Sequence, residues 1–111
     1  MESKLVSAAT KRLSNNPARQ ILDLTIPERD FHQVVVELAT LTGWTVFSTW
    51  NSIHSPAGEP DLRLIRPPRI IFAELKSETG KTTREQDAAL AQLALCRGVE
   101  SYLWRPHNWQ E

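Results

Sequence analysis

The sequence predicts an α/β (α+β) domain with a mixed central sheet flanked by helices, and three observations predict it. A helical apolar period runs from Phe31 to Ala39. Two β-like runs, 61–65 and 70–75, sit either side of Pro67-Pro68. A second capped helical stretch, from about residue 83 to Arg97, leads into a last β-like run. Taken in order the elements read α-β-β-β-α-β, the pattern of a sheet covered by helices rather than of a bundle or a sandwich.

Residues 1–24 show no clear period and are read as an N-terminal arm, with a weak helix around Leu5 to Ala9 ended by Ser14-Asn15-Asn16-Pro17. The domain proper spans 25–111. Thr25-Ile26-Pro27-Glu28 has a capping-box pattern with a proline tolerated in the first turn. It opens a helix whose stripe is Phe31, Val34, Val35, Leu38 and Ala39, ended by Gly43. Trp44 to Phe47 is a short strand, followed by a polar loop through Asn51, His54 and Gly58. From Asp61 to Ile65 the residues alternate, with Leu62 and Leu64 on one face and Asp61, Arg63 and Ile65 on the other. Arg66-Pro67-Pro68-Arg69 is a turn, and Ile70 to Leu75 the returning strand. Thr82 or Thr83 caps the second helix, Gly98 stops it, Ser101 to Trp104 is the final strand, and Pro106 to Trp109 a turn.

The chain has 111 residues, 41% hydrophobic and 23% charged, which suits one compact ordered domain and not a disordered segment. Its single cysteine, Cys96, excludes an intrachain disulfide and a cysteine-based zinc site. No apolar run nears the roughly 20 residues of a membrane span, and no secretory segment opens the sequence. An intracellular, reducing setting is expected, without membrane association. Thirteen basic residues balance thirteen acidic ones, which argues against a nonspecific nucleic-acid coat held by excess positive charge. Of the four tryptophans, Trp104 is expected in the core and Trp109 at a subunit contact; Trp50 is expected to pack.

The chemistry-bearing residues are Asp61, Glu74 and Lys76. Two residues apart on a strand, Glu74 and Lys76 project from one face while Leu75 points to the other. If the strands pair through Pro67-Pro68, Asp61 comes to lie beside them. Two carboxylates with an adjacent lysine can hold Mg²⁺, which keeps much of its shell for water and phosphate. The same residues also suit a solvated strand face with a cross-strand ion pair. Arg63, Arg66, Arg69, Lys81 and Arg84 lie within about twenty residues of the carboxylates and are candidates for phosphate contacts, Lys81 and Arg84 foremost; scattered surface charge is the alternative for each.

Gly58-Glu59-Pro60-Asp61 followed by Phe72-Ala73-Glu74-Leu75-Lys76 resembles the Pro-Asp…Glu-x-Lys signature of the PD-(D/E)XK nuclease superfamily. The wider order is similar to the stand-alone VRR-NUC (virus-type replication-repair nuclease) domains from about residue 25 onward. That order is Glu28 opening a helix, Gly43-Trp44, Gly-x-Pro-Asp, Glu74-Leu75-Lys76-Ser77, Gln86 in a helix, and Trp104-Arg105-Pro106. The resemblance implies a restriction-endonuclease-like αβββαβ core. Asp61 and Glu74 then bind the metal with the main-chain carbonyl of Leu75, and Lys76 positions or activates the attacking water. Glu28 matches the acidic residue of the first helix and is a further candidate ligand; Gln86 matches the glutamine of the second. Both also have cap readings, since each is the third residue after a threonine. At ~100° per residue, Glu28 falls within the arc of Phe31, Val35 and Ala39, an unusual place for a solvated carboxylate.

The expected function is therefore a Mg²⁺-dependent DNA endonuclease, with Mn²⁺ able to substitute. By fold-level analogy it acts on branched or Holliday-junction-like DNA in replication, recombination or repair, as a homodimer in a bacterial or phage-infected cell. The other readings are a DNA-binding or assembly module with an inactive site, and a flap- or end-processing nuclease subunit.

Overall fold

The computed structural model describes residues 23–49 and 56–109. The expectations for most of the arm, for Trp50 and for the part of the polar loop holding Asn51 and His54 lie outside those residues. Six elements follow in chain order: α1 (Glu28–Leu41), β1 (Thr45–Ser48), β2 (Leu62–Arg66), β3 (Arg69–Leu75), α2 (Arg84–Ala94) and β4 (Val99–Trp104). A 3₁₀ turn, Pro106–Asn108, follows β4. The chain is a mixed α/β domain built on one four-stranded sheet of order β1-β2-β3-β4. β1, β2 and β3 run antiparallel in sequence, whereas β4 lies parallel to β3. A parallel neighbour cannot be reached by a tight turn, and α2 supplies the crossover.

The period-2 pattern of β2 and β3 decides which face each helix covers. Leu62 pairs with Ala73 and Leu64 with Ile71, so these four side chains share one face with Leu75, and all are at most 1% exposed. Phe31, Val35 and Ala39 of α1 pack on that face together with Trp44 and Trp104. Fully burying a side chain such as Leu62, Leu64 or Ile71 contributes about 1.5–3 kcal/mol each, which makes this layer the main source of stability. α2 lies on the opposite face, where the Ser101 hydroxyl donates to the Leu90 carbonyl at 3.2 Å. None of its residues is fully buried.

Three details depart from the sequence reading. Thr25 does not cap α1: residues 23–25 are themselves helical, and Pro27, extended at ψ 152°, is the cap residue and makes no side-chain capping bond. Val34 is 51% exposed, while His32 is buried in its place. With ~100° per residue, the buried stripe centres between Phe31 and His32, leaving Val34 more than a quarter-turn away. α2 ends at Ala94 and not near Arg97; Gly98, at φ 74°, shapes the turn into β4 instead.

Trp109 is a core residue and not a candidate subunit contact. It is 8% exposed and meets Trp104 edge-on, with ring centroids 4.9 Å apart at 74°. At the hairpin end, Arg69 forms a two-pronged ion pair with Glu100 (2.7 and 2.6 Å), holding that carboxyl below the usual range, and Tyr102 donates to the same group. Both partners are more than a quarter exposed, which limits the pair to about 1 kcal/mol or less. Arg69→Met should therefore lower stability by no more than about that amount in urea unfolding. It should leave any metal binding unchanged.

Candidate active site

The open end of the β2–β3 hairpin gathers the residues singled out in the sequence. Leu62↔Ala73 is the last pair of the ladder, so Asp61, just before β2, and Glu74, on β3, stand next along. Asp61 Oδ2 accepts a 2.8 Å hydrogen bond from the Leu75 amide, which locks the aspartate across the end of β3. Glu74 projects from the face opposite Leu75 and is nonetheless 1% exposed.

Every neighbour of the Glu74 carboxylate has a structural reason to be there. Gln86 Nε2 donates to Oε2 at 2.9 Å. The other end of the same amide, Gln86 Oε1, accepts from the Thr83 amide at 2.8 Å, while the Thr83 hydroxyl accepts from the Gln86 amide at 3.1 Å. That capping box fixes which end of the Gln86 side chain faces Glu74: the cap reading holds, and the same side chain reaches the carboxylate. Lys76 Nζ stands 3.7 Å from Oε2, a loose ion pair beyond hydrogen-bonding distance. Oε1 is buried and receives no hydrogen bond from an N–H or hydroxyl among the described residues.

The electrostatics follow from this arrangement. Burial, then the charge of Asp61 and a hydrogen-bonding contact with it, push the Glu74 carboxyl up to about 8; Lys76 opposes the rise and Glu28 adds to it. Glu28 at the start of α1 is raised by burial, pulled back by Lys76, raised by Asp61 and lowered by a backbone hydrogen bond from Ser77. The sequence reading that aimed Glu28 over its own apolar stripe thus places it in the same field. No set of three or more His, Cys, Asp or Glu side chains among the described residues is gathered closely enough to hold a metal ion. The gathered carboxylates are the pair Asp61 and Glu74, with Glu28 coupled through charge.

One neighbour was missed. His32 is 8% exposed, its Nε2 is hydrogen-bonded to the Ser48 hydroxyl at 3.1 Å, and burial lowers its pKa against the opposing pull of Asp61. Its signal was present: it lies one helical turn beyond Glu28, on the same face.

The basic residues divide. Arg66 and Arg69 lie at the turn end of the hairpin, and Arg69 is about five strand residues, roughly 17 Å, from Glu74. Neither is brought to the site, and Arg69 is engaged with Glu100. Arg63 shares the sheet face of Asp61 and Glu74, its guanidinium 4.8 Å from the centroid of Phe47. Lys81 and Arg84 are exposed at the end of α2 that carries Gln86.

The loop after Lys76 is fastened from the far side. Arg105 Nη1 donates to the carbonyls of Ser77 (2.7 Å), Glu78 (3.3 Å) and Gly80 (2.6 Å). His107 holds the Glu78 carboxylate through its amide at 3.2 Å and Nδ1 at 2.8 Å. Gly58, at φ 89°, completes the frame: a Cβ there would meet the Glu85 carbonyl oxygen at 2.5 Å, so only glycine lets the loop before Asp61 pass against the first turn of α2.

The double role of Gln86 predicts an outcome that separates its parts. Gln86→Glu keeps the cap acceptor but replaces the donor to Glu74 with a third carboxylate. Thermal melts without added metal should match the parent near pH 5 and fall below it at pH 8, where like charges repel. Equal melting of the two proteins at pH 8 removes the contact from the account.

No family model, no curated protein and no solved structure matches the chain.

Proposed function

We propose that this chain is a Mg²⁺-dependent endonuclease that hydrolyses DNA phosphodiester bonds. We further propose that it is built on a restriction-endonuclease-like core and allied to the VRR-NUC domains of the PD-(D/E)XK superfamily. One observation carries the reading: a fully buried carboxylate, Glu74, keeps one oxygen that receives no hydrogen bond, beside a second carboxylate, Asp61. Two neighbouring carboxylates inside a protein are costly unless a proton or a cation sits between them. The donor set fits Mg²⁺, which favours hard oxygen ligands and needs only one or two carboxylates from the protein. Asp61, Glu74 and the Leu75 carbonyl would hold it, with Glu28 outside that set.

Bound there, the ion supplies Lewis-acid polarisation of the phosphate and neutralises its charge. The chain's own residues do the rest. Gln86 and the Leu75 amide hold the two carboxylates in place. Lys76, with its ammonium 3.7 Å from Glu74, orients the attacking water and offsets negative charge in the transition state. Lys81, Arg84 and Arg63 bind phosphates either side of the cut. Branched DNA as substrate and a homodimer as the working unit complete the proposal. α2, with none of its residues buried and with Leu95 87% exposed just beyond it, supports a face that pairs with a second copy.

The same Glu74 chemistry favours a second reading, a proton-sharing carboxyl pair that only ties β3 to α2. Cleavage separates them. Labelled four-way junction, flap and linear duplex incubated with the protein should be cut with Mg²⁺ or Mn²⁺ and not with EDTA, the junction fastest. Absence of cutting with both metals leaves the structural pair; equal rates on duplex and junction end the preference for branched DNA.

A further inference from the structure

The sheet face that presents Asp61 and Glu74 also carries a line of side chains one step along the strands. Phe47 pairs with Arg63, and Arg63 with Phe72, across β1, β2 and β3. Arg63 and Phe72 are each two residues from the carboxylate on their own strand, so the two lines are about 7 Å apart. α2 covers the Phe72 end. Phe47 is 46% exposed, an aromatic ring on the edge strand, and the Arg63 guanidinium lies 4.8 Å from its centroid. Beside them opens a trough of about 220 Å³ walled by Phe47, Thr49, Glu59, Pro60, Arg63 and Phe72, and the Glu59-Pro60 wall runs directly into Asp61.

We propose that this trough receives one unpaired base of a DNA strand, next to the phosphate being cut; the assignment rests on the nuclease reading above. Phe47 is the stacking platform, and Arg63 swings from the ring to the neighbouring phosphate. Size and charge both select a base. The volume is below the roughly 300–1,000 Å³ of sites for drug-sized molecules. The Glu59 carboxylate in the wall repels a phosphate but accepts hydrogen bonds from an exocyclic amine, as acidic side chains do from cytosine. Stacking on an aromatic face tolerates any base and needs it unpaired. A flap or a distorted junction offers such a base, whereas an intact duplex does not.

Binding tests this independently of cutting. Anisotropy is measured with Ca²⁺ in place of Mg²⁺, on a labelled single strand and on the duplex of the same sequence. Phe47→Ala should weaken single-strand binding by about tenfold and duplex binding by less than about twofold. Phe47→Trp should keep or tighten single-strand binding, and Arg63→Gln should weaken it with a shallower salt dependence. The proposal is overturned if the parent protein does not bind the single strand, if Phe47→Ala leaves single-strand affinity unchanged, or if it lowers both affinities equally. A Phe47-dependent preference for the single strand with no cleavage in Mg²⁺ or Mn²⁺ upholds the trough and ends the nuclease reading. Cleavage by the parent without that dependence does the reverse.

Discussion

Glu74→Gln should abolish cleavage, by at least about a thousandfold, and at the same time make the metal-free protein more stable at alkaline pH. The loss follows from replacing a charged ligand by a neutral amide. The gain follows from proton linkage. A carboxyl raised in the fold from 4.5 to about 8 stays protonated where the unfolded chain has already released its proton. Stability from this group is complete below pH 4.5, falls as pH rises from there to about 8, and is lost beyond. At about 1.36 kcal/mol per unit, the decline by pH 7 is on the order of 3 kcal/mol. Raised Glu28 adds in the same direction. Glutamine keeps an N–H donor towards Asp61 whatever the pH, so the variant escapes the decline. Urea unfolding in EDTA at pH 5, 7 and 8.5 reads it directly. Mg²⁺ should restore the parent at pH 8.5 and leave the variant unchanged. A parent protein equally stable at pH 5 and 8.5 in EDTA would falsify the buried-proton account.

Lys76→Met should cut DNA at least about a hundredfold more slowly while binding Mg²⁺ within a few-fold of the parent. The ammonium is 3.7 Å from Glu74 Oε2, its side chain is 13% exposed, and it is not a ligand. Removing it takes away the positive charge that opposes the rise of the Glu74 carboxyl. The metal-free variant should therefore also be less stable than the parent at pH 8, with little difference at pH 5. Single-turnover kinetics and calorimetry separate the effects. Normal cutting by the variant ends the role given to Lys76; lost Mg²⁺ affinity moves the lysine from chemistry to site assembly.

Both arguments start from residues that were legible in the sequence, and the physics of the hairpin explains why. Strict alternation at Leu62 and Leu64, two prolines that stop the strand, and a returning run to Leu75 leave one register that buries the apolar face. That register alone brings Asp61 opposite Glu74. Gln86 was legible for a different reason: its cap chemistry is local, and the cap then aims the side chain.

What failed to read was non-local. Arg69 is near Glu74 in sequence, yet both lie on β3, whose extended backbone holds them towards opposite ends. The face that α1 turns to the sheet, which exchanged Val34 for His32, depends on packing that the apolar pattern does not specify. Thr25 looked like a cap because capping boxes are read without knowing that the preceding residues are already helical. The Arg105 clamp was invisible, since carbonyls of a loop carry no side-chain signature.

That clamp has a consequence for the order in which the molecule assembles during synthesis. The hairpin bearing Asp61, Glu74 and Lys76 emerges from the ribosome well before Arg105, and both of its strands and α1 precede β4 in the chain. The Ser77–Gly80 loop, whose Ser77 amide contacts Glu28, lacks its Arg105 anchor until β4 docks alongside β3 and the guanidinium reaches the three carbonyls. A nascent chain stalled before residue 99 thus displays the carboxylates on an unfinished sheet, with the lysine's following loop held only from its Ser77 end. Completion of the loop beside Glu74 becomes a late event, gated by a guanidinium from beyond the last strand.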